Sequence, residues 1–361
     1  MFLKPVLIVS FLAVTAIAFA GWGKPDNACS GAYKVLPALR QGNLTIFPVV
    51  ADHSHNTSGF LTLDEGLRSG DVVVTESGQV QPLMRRRFYP ANRDGAQVNR
   101  LVLVNNSKRP LILLAGEIVT GGKQDRVIGK DRIVPAESDP IDLSVFCVEP
   151  GRWVATSQVF GGHVYSMAAP KVRARAMGDK DQQKVWSEVR ASRGAMEQMV
   201  VSAAPAAAAD IGQTSSYARV MDNKEVQRQV DSVAAPMERS YSSLIHQLKD
   251  RQAVGVVVAV NGQLVWSDLF ASPELLEKYW PKLVRSYAAE AISSRGKRGE
   301  IDEQSAQAFL ERMDGTREMV ESEPGVYRHS EISGHGYKVF ALTSLLPKTG
   351  FEVHLAKMAE N

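Results

Sequence analysis

The segment Leu111-Ile112-Leu113-Leu114-Ala115-Gly116-Glu117-Ile118-Val119 constrains the fold more than any other stretch of the chain. It is apolar at both strand parities, so a strand made from it has no face to give to water. Such a run belongs in the centre of a sheet covered on both sides. Val254-Gly255-Val256-Val257-Val258-Ala259-Val260 repeats the pattern far along the chain. Whatever the topology, apolar elements must close over both strands.

The covering elements are written between them. Residues 180–199 and 224–249 are rich in Gln, Glu, Arg, Lys, Ala and Met. Val185, Val189, Met196 and Met199 recur at helical spacing, as do Val226, Val230, Val233 and Met237. The spacing predicts two long helices, and the alanine-rich 200–210, with Pro205, reads as a surface linker. Strands are expected at 44–50, 72–76, 100–105, 132–135 and 141–148, with one helical turn at 63–67. After 253, Asn261-Gly262 signals a hairpin. Ser272 and Pro273 open a helix whose apolar face is Leu276, Trp280, Leu283 and Tyr287. Pro281 should kink or restart that helix. A helix near 303–313 and four strands at 318–322, 325–331, 338–343 and 351–355 complete the chain. The class is α+β: a mixed β-sheet system from the N-terminal and C-terminal thirds, with a helical middle segment packed as cover. One domain, 43–357, holds a strand-rich 43–160, a helical 171–250 and an α/β 253–357.

Ahead of it, Lys4 precedes an apolar run from Pro5 to Phe19 that ends Ala18-Phe19-Ala20. Small residues three and one positions before a cut are what signal peptidase accepts. Residues 1–20 are therefore expected to be a cleaved signal peptide and 21–42 a lead-in, giving an exported protein, periplasmic or secreted. The apolar run is shorter than the ~20 residues a span needs, and no basic cluster follows it. No stable membrane span is expected after cleavage.

Lys+Arg total 42 against 39 Asp+Glu, a balance that gives no field to steer nucleic acid. Arg85-Arg86-Arg87, the one tight basic run, reads as a solvated edge. Cys147 shares an apolar strand face with Ile141, Leu143 and Val145 and reads as a buried, inert thiol. A disulfide to Cys29 stays open. His53-Ser54-His55 puts two imidazoles on one strand face, but no third ligand follows at a telling distance. No metal is assigned, and the cofactor is unknown.

Three segments carry a family resemblance: residues 115–126, residues 142–153, and Val260-Asn261-Gly262 with Asp268-Leu269-Phe270-Ala271-Ser272-Pro273 and Tyr279-Trp280-Pro281-Lys282-Leu283. Together they resemble the ARG and rhodanese-phosphatase-superfamily-associated protein family, over about residues 40–290. The family's activity is unestablished. Its association with ADP-ribosylglycohydrolase-type and phosphatase-type proteins implies a link to NAD-derived or ADP-ribose-like metabolites.

The residues themselves mark one candidate site. Gly121 and Gly122 allow positive φ and a nest of N–H groups for an anion, followed by Lys123, Gln124, Asp125 and Arg126. Glu149, Arg152 and Trp153 end the next strand, where a guanidinium can clamp an anion and an indole can stack on a ring. Glu117, the only charge in its run, is the candidate general base. Its partner is expected from Lys123, Arg126, Lys130 or Arg132. The bland counterparts are a hairpin turn with charged decoration and a structural ion pair. Two functions follow: a small-molecule site, binding or enzymatic, for an anionic or nucleotide-like ligand, or a non-catalytic envelope or secreted interaction protein using its long helices. The first requires Glu117, Gln124 and Arg126 to converge; the second requires an exposed apolar stripe.

Overall fold

A computed structural model describes residues 33–77, 97–247 and 252–360. The signal segment, Cys29 and Arg85-Arg86-Arg87 lie outside the described residues. The first half holds β1 (Tyr33–Val35), β2 (Leu39–Gln41), β3 (Leu44–Ala51), β4 (Leu61–Thr62), α1 (Leu63–Ser69) and β5 (Val72–Thr75). It continues with β6 (Arg100–Asn105), β7 (Leu111–Leu113), β8 (Glu117–Thr120), β9 (Arg126–Ile128), β10 (Arg132–Val134), β11 (Ile141–Cys147) and β12 (Val159–Met167). The helices are α2 (Pro170–Ala174), α3 (Gln182–Val200), α4 (Pro205–Gln213), α5 (Tyr217–Asp222) and α6 (Lys224–Gln247). The last third is β13 (Gln252–Val260), β14 (Gln263–Phe270), α7 (Pro273–Ser293), α8 (Glu303–Glu311), β15 (Thr316–Glu323), β16 (Tyr327–Gly334), β17 (Tyr337–Ser344) and β18 (Glu352–Ala359).

The fold is α+β. A nine-stranded sheet runs β1-β3-β13-β14-β18-β17-β16-β15, with β2 also on β3. N-terminal and C-terminal strands thus share one sheet, and it takes in residues 33–41 from the stretch read as a lead-in. A closed barrel, β11-β6-β5-β12-β8-β9, stands beside it, with a small sheet β10-β7-β4.

The constraining apolar run is buried throughout, but it is two strands rather than one. Gly116, at φ +98°, turns the chain between β7 and β8. A residue with no Cβ makes that turn without strain. Leu111 and Leu113 pack into the barrel core, whereas Ile112, Leu114 and Ala115 pack into the core beneath the sheet. The run is apolar at both parities because it lies between two cores.

The long helices hide their stripes. Val226, Val230, Ala234, Met237 and Tyr241 of α6 join the sheet-side core. On α3, Val185 and Val189 pack on the outer wall of the barrel, and Met196 and Val200 pack beneath the sheet. The expected linker contains α4, with Ala208 and Ile211 buried. Proline in a first turn and a run of alanines favour helix, and low complexity concealed this. Pro281 neither ends nor restarts α7. Tyr279, Trp280, Leu283 and Tyr287 are buried on both sides of it, and that packing offsets the lost hydrogen bond.

Charge joins barrel to sheet. Arg173 of α2 grips Asp268 of β14 through two bonds of 2.9 Å. His354 of β18 bridges Asp268 at 3.1 Å and Asp131 at 2.6 Å. Asp131 lies between β9 and β10, and its other oxygen accepts Ala115 N–H at 2.7 Å. Tyr287 also donates to Asp268. All four side chains of the chain are fully buried. Burial opposes the charged imidazole, but the two aspartates outweigh it, and His354 is pushed up from 6.5 to about 9. The contribution is therefore complete below the unfolded value and is lost as pH rises through the folded one. Chemical denaturation between pH 6 and pH 10 should show stability falling as pH approaches about 9, by about 3 kcal/mol. His354→Gln should flatten that slope; an unchanged slope would refute the charged bridge.

Candidate functional site

Three segments meet at one end of the barrel: Glu76 and Ser77 after β5, and the loops following β8 and β11. The β8–β9 loop turns through Gly121 at φ +124° and Gly122 at φ +50°. The expected nest of N–H groups forms, but it holds the protein's own acceptors. Gly121 N–H donates to Asp125 Oδ1 at 3.1 Å, Gly122 N–H to Ser157 Oγ at 3.2 Å, and Lys123 N–H to Glu76 Oε1 at 2.9 Å. Arg152 spans the loops. It binds Glu149 at 2.6 Å and Asp125 at 3.3 Å, and it donates to the carbonyls of Gly122 and Val154 at 2.8 Å each. Asp125 also accepts from Ser216 Oγ at 2.7 Å, and Gln124 donates to the Glu149 carbonyl at 3.0 Å. Burial raises the Asp125 carboxyl, and hydrogen bonds only partly offset this. The bond that Arg152 donates to the Glu149 carboxylate raises the guanidinium further. Arg152 is therefore a staple that fixes the loops, and its donors are committed internally.

Two features of this mouth remain open. Lys123 Nζ lies 5.0 Å from the centre of the Trp153 ring, which is 44 % exposed. Deeper, Glu76 Oε2, Ser77 Oγ, Gln124 Oε1 and Arg126 Nε are buried polar atoms without hydrogen-bond partners among the described residues. Strand alternation explains the placement: Arg126 shares parity with Ile128, and Glu76 with Val74, both barrel-core residues. Among the described residues, Arg126 reaches only the carbonyls of Asp125 and Gln97, each at 3.4 Å. Burial lowers its pKa. Cys147 pairs with Arg126 across β11 and β9. It is a free, buried thiol that burial pushes up, and its Sγ accepts Glu149 N–H at 3.3 Å.

Of the expected site, Gly121, Gly122, Lys123, Gln124, Asp125, Arg126, Glu149, Arg152 and Trp153 gather here. Glu117 does not. It starts β8, at the end away from the mouth, and its partner is none of the four cations expected. Lys282 of α7 binds Glu117 Oε1 at 2.5 Å and Asp64 of α1 at 2.7 Å. Glu117 Oε2 accepts Leu114 N–H at 2.7 Å. Lys123 instead caps Trp153, Lys130 pairs with Glu321, and Arg132 lies 3.9 Å from Glu321 and 3.6 Å from Glu323. Burial raises the Glu117 carboxyl, with the Lys282 charge opposing it. Burial works against the Lys282 ammonium, but Glu117 and Asp64 prevail and raise it. His55, from the His53-Ser54-His55 pair, stacks on Phe351 at 4.2 Å.

Sequence reasoning missed Lys282, Asp64 and Glu76. Lys282 had a signal, since it sits within an aromatic and aliphatic helical run where a lysine must find a buried carboxylate. Asp64 and Glu76 had none, because loops and short helices carry such residues routinely.

The model of the ARG and Rhodanese-Phosphatase-superfamily-associated Protein domain matches residues 32–357. The chain belongs to that family. The match takes in the barrel and the nine-stranded sheet together, and it extends beyond the 40–290 covered by the resembling motifs. Comparison with curated proteins and with solved structures finds no match.

Glu117→Gln leaves Lys282 with Asp64 alone. Breaking one side of a buried pair typically costs about 3–5 kcal/mol. We expect a loss at the low end of that range, about 3 kcal/mol, because Asp64 still holds the ammonium. Urea denaturation showing a change under about 0.5 kcal/mol, within the range of ordinary surface substitutions, would remove the pair from the structural account.

Proposed function

We propose that the barrel mouth is a small-molecule site of an exported, soluble protein. The ligand is small and anionic, of the nucleotide- or ADP-ribose-like class. The observation that carries this reading is the cluster of buried, unpartnered atoms: Glu76 Oε2, Ser77 Oγ, Gln124 Oε1 and Arg126 Nε. Buried polar groups are nearly always hydrogen-bonded to protein or water, and although other such atoms are scattered through the fold, these four lie together in adjoining segments, which supports a shared polar partner. Arg126 supplies a donor for an anionic oxygen, whereas Glu76 and Gln124 supply acceptors for hydroxyl or amino groups. At the rim, Trp153 offers a face for a ring and Lys123 a cation for a phosphate. The Glu149–Arg152–Asp125 staple holds the loops in place before any ligand arrives, which lowers the ordering cost of binding. The arrangement supports binding and positioning; Glu117, the candidate base, lies apart from it. The rival reading, an interaction protein using its long helices, needs an exposed apolar stripe, and those stripes are inside.

Thermal unfolding with ADP-ribose, AMP and inorganic phosphate tests this. A ligand of the class should raise the Tm, since binding only the folded state stabilises it. Trp153→Ala and Lys123→Ala should reduce the rise by half or more without lowering the unliganded Tm. No rise with any of the three, or equal rises in both variants, would sink the reading. Export has its own check. Mass spectrometry of the protein made in its own host should find Gly21 at the N-terminus; residues 1–20 still attached would contradict export by cleavage.

A further inference from the structure

The barrel closes on only two residue pairs at one seam. β12 pairs with β5 only through Val159 with Thr75 and Phe160 with Val74. It then turns to β8, where Gly161 faces Thr120 and Gly162 faces Val119. The next residues of β5, Val73 and Val72, have no partner on β12. A cavity of about 440 Å³ occupies the parting, within the range of about 300–1,000 Å³ common for small-ligand pockets. Gly161 and Gly162 are exposed there, and a Cβ on Gly161 would meet nothing within 4 Å.

The chemistry of the lining is uneven. Leu67, Val73 and Phe160 give an apolar wall, while Asp64 and Arg68 of α1 are its charges. Asp64 commits Oδ2 to Lys282. Its other oxygen lies 3.6 Å from where a Gly162 Cβ would be, against the backbone of the seam. Behind Asp64, Lys282 is shared with Glu117, so two carboxylates face one ammonium. The group is one positive charge short. Arg68, four residues after Asp64, is exposed and makes no ion pair among the described residues. The spacing allows an Asp–Arg pair on α1, but Asp64 pairs with Lys282 instead.

We propose that this seam is a second binding site, separate from the barrel mouth, and that it takes a small zwitterion with an apolar body, of the apolar α-amino acid class. The ammonium sits on Asp64, supplying the missing positive charge. The carboxylate sits on Arg68. The side chain lies along Leu67, Val73 and Phe160. An ammonium without a carboxylate leaves Arg68 unused, and a carboxylate without an ammonium meets Asp64 as a like charge. The site therefore discriminates against both half-ligands.

Isothermal titration of the full chain with L-leucine, L-methionine and L-phenylalanine, set against leucinamide and N-acetyl-leucine, tests the assignment. At least one free amino acid should bind saturably at millimolar concentration or below. For leucine, both derivatives should bind about tenfold more weakly or not at all, because each loses one charged contact. Arg68→Gln, on an exposed side chain, should keep the fold and weaken binding of the free amino acid by a similar factor. It carries the test if Asp64→Asn fails to fold through its link to Lys282. Trp153→Ala should leave amino-acid binding unchanged. The proposal is overturned if no free amino acid binds, if the derivatives bind as well as leucine, or if Arg68→Gln binds normally. It is also overturned if Trp153→Ala abolishes binding, which would place the ligand at the mouth. Failure of the nucleotide-class ligands at the mouth leaves these outcomes as they are.

Discussion

The chain Arg173–Asp268–His354–Asp131 is what the rest of the architecture depends on. Its members come from α2, from two strands of the large sheet and from the loop between β9 and β10. Each carboxylate meets the imidazolium, and Asp268 also meets the guanidinium in a bidentate geometry that fixes direction as well as distance. Hydrophobic burial alone lets a barrel slide on a sheet, because it has no direction. A row of buried charges does not slide, since a small displacement leaves one of them unpaired in a medium of low dielectric. Gly116 shows how tightly the junction is drawn: a Cβ there would lie 2.6 Å from Arg173 Cγ. The same glycine makes the turn that divides the constraining apolar run between two cores.

The second junction obeys the same rule. Lys282 brings α7 onto α1 and β8 through Asp64 and Glu117, with the Tyr279 ring 4.7 Å from the ammonium. Replacing such groups by apolar residues of matching shape is often neutral or stabilising in other proteins. What a buried ionic group supplies here is position. Removing half of one is a different matter, because desolvation has already been suffered by the partner left behind.

Much of this was legible from the sequence, and the limits have physical causes. Periodicity located the long helices, and the Asn261-Gly262 turn falls between β13 and β14, with both residues at positive φ as that hairpin type requires. Apolar runs at both parities announced covered strands. The barrel was not legible, because closure is a matter of partners and strands of three or four residues name none. β8 and β9 carry too few residues for an alternation to register. At the candidate site, local composition marked the 121–126 and 149–153 segments, which the fold brings together, since glycine pairs and terminal Arg-Trp have local meaning. Glu117 was recognised as a buried charge, but its partner stands 165 residues away. Nothing in a linear pattern distinguishes Lys282 from four cations nearer in sequence.

The distinction that matters for function is between polar groups that are buried and satisfied and those that are buried and not. At the junction each carboxylate oxygen of Asp131 and Asp268 has a donor, and of the Arg173 guanidinium only Nε is left without a partner among the described residues. At the mouth the accounting differs. Among the described residues, the outer ring of Glu149, Arg152, Asp125 and Ser216 is hydrogen-bonded internally, while the inner groups of Glu76, Ser77, Gln124 and Arg126 each retain an atom without a partner. A rigid, saturated shell around an unsaturated interior is the arrangement a binding site needs, because the shell fixes where the open groups point. Of the open atoms, Glu76 Oε2 and Gln124 Oε1 need donors, whereas Ser77 Oγ and Arg126 Nε could be closed by a carboxylate. Arg126 shows this most directly: Asp125 precedes it in sequence yet gives it only a backbone carbonyl, and spends both carboxylate oxygens on Gly121, Arg152 and Ser216.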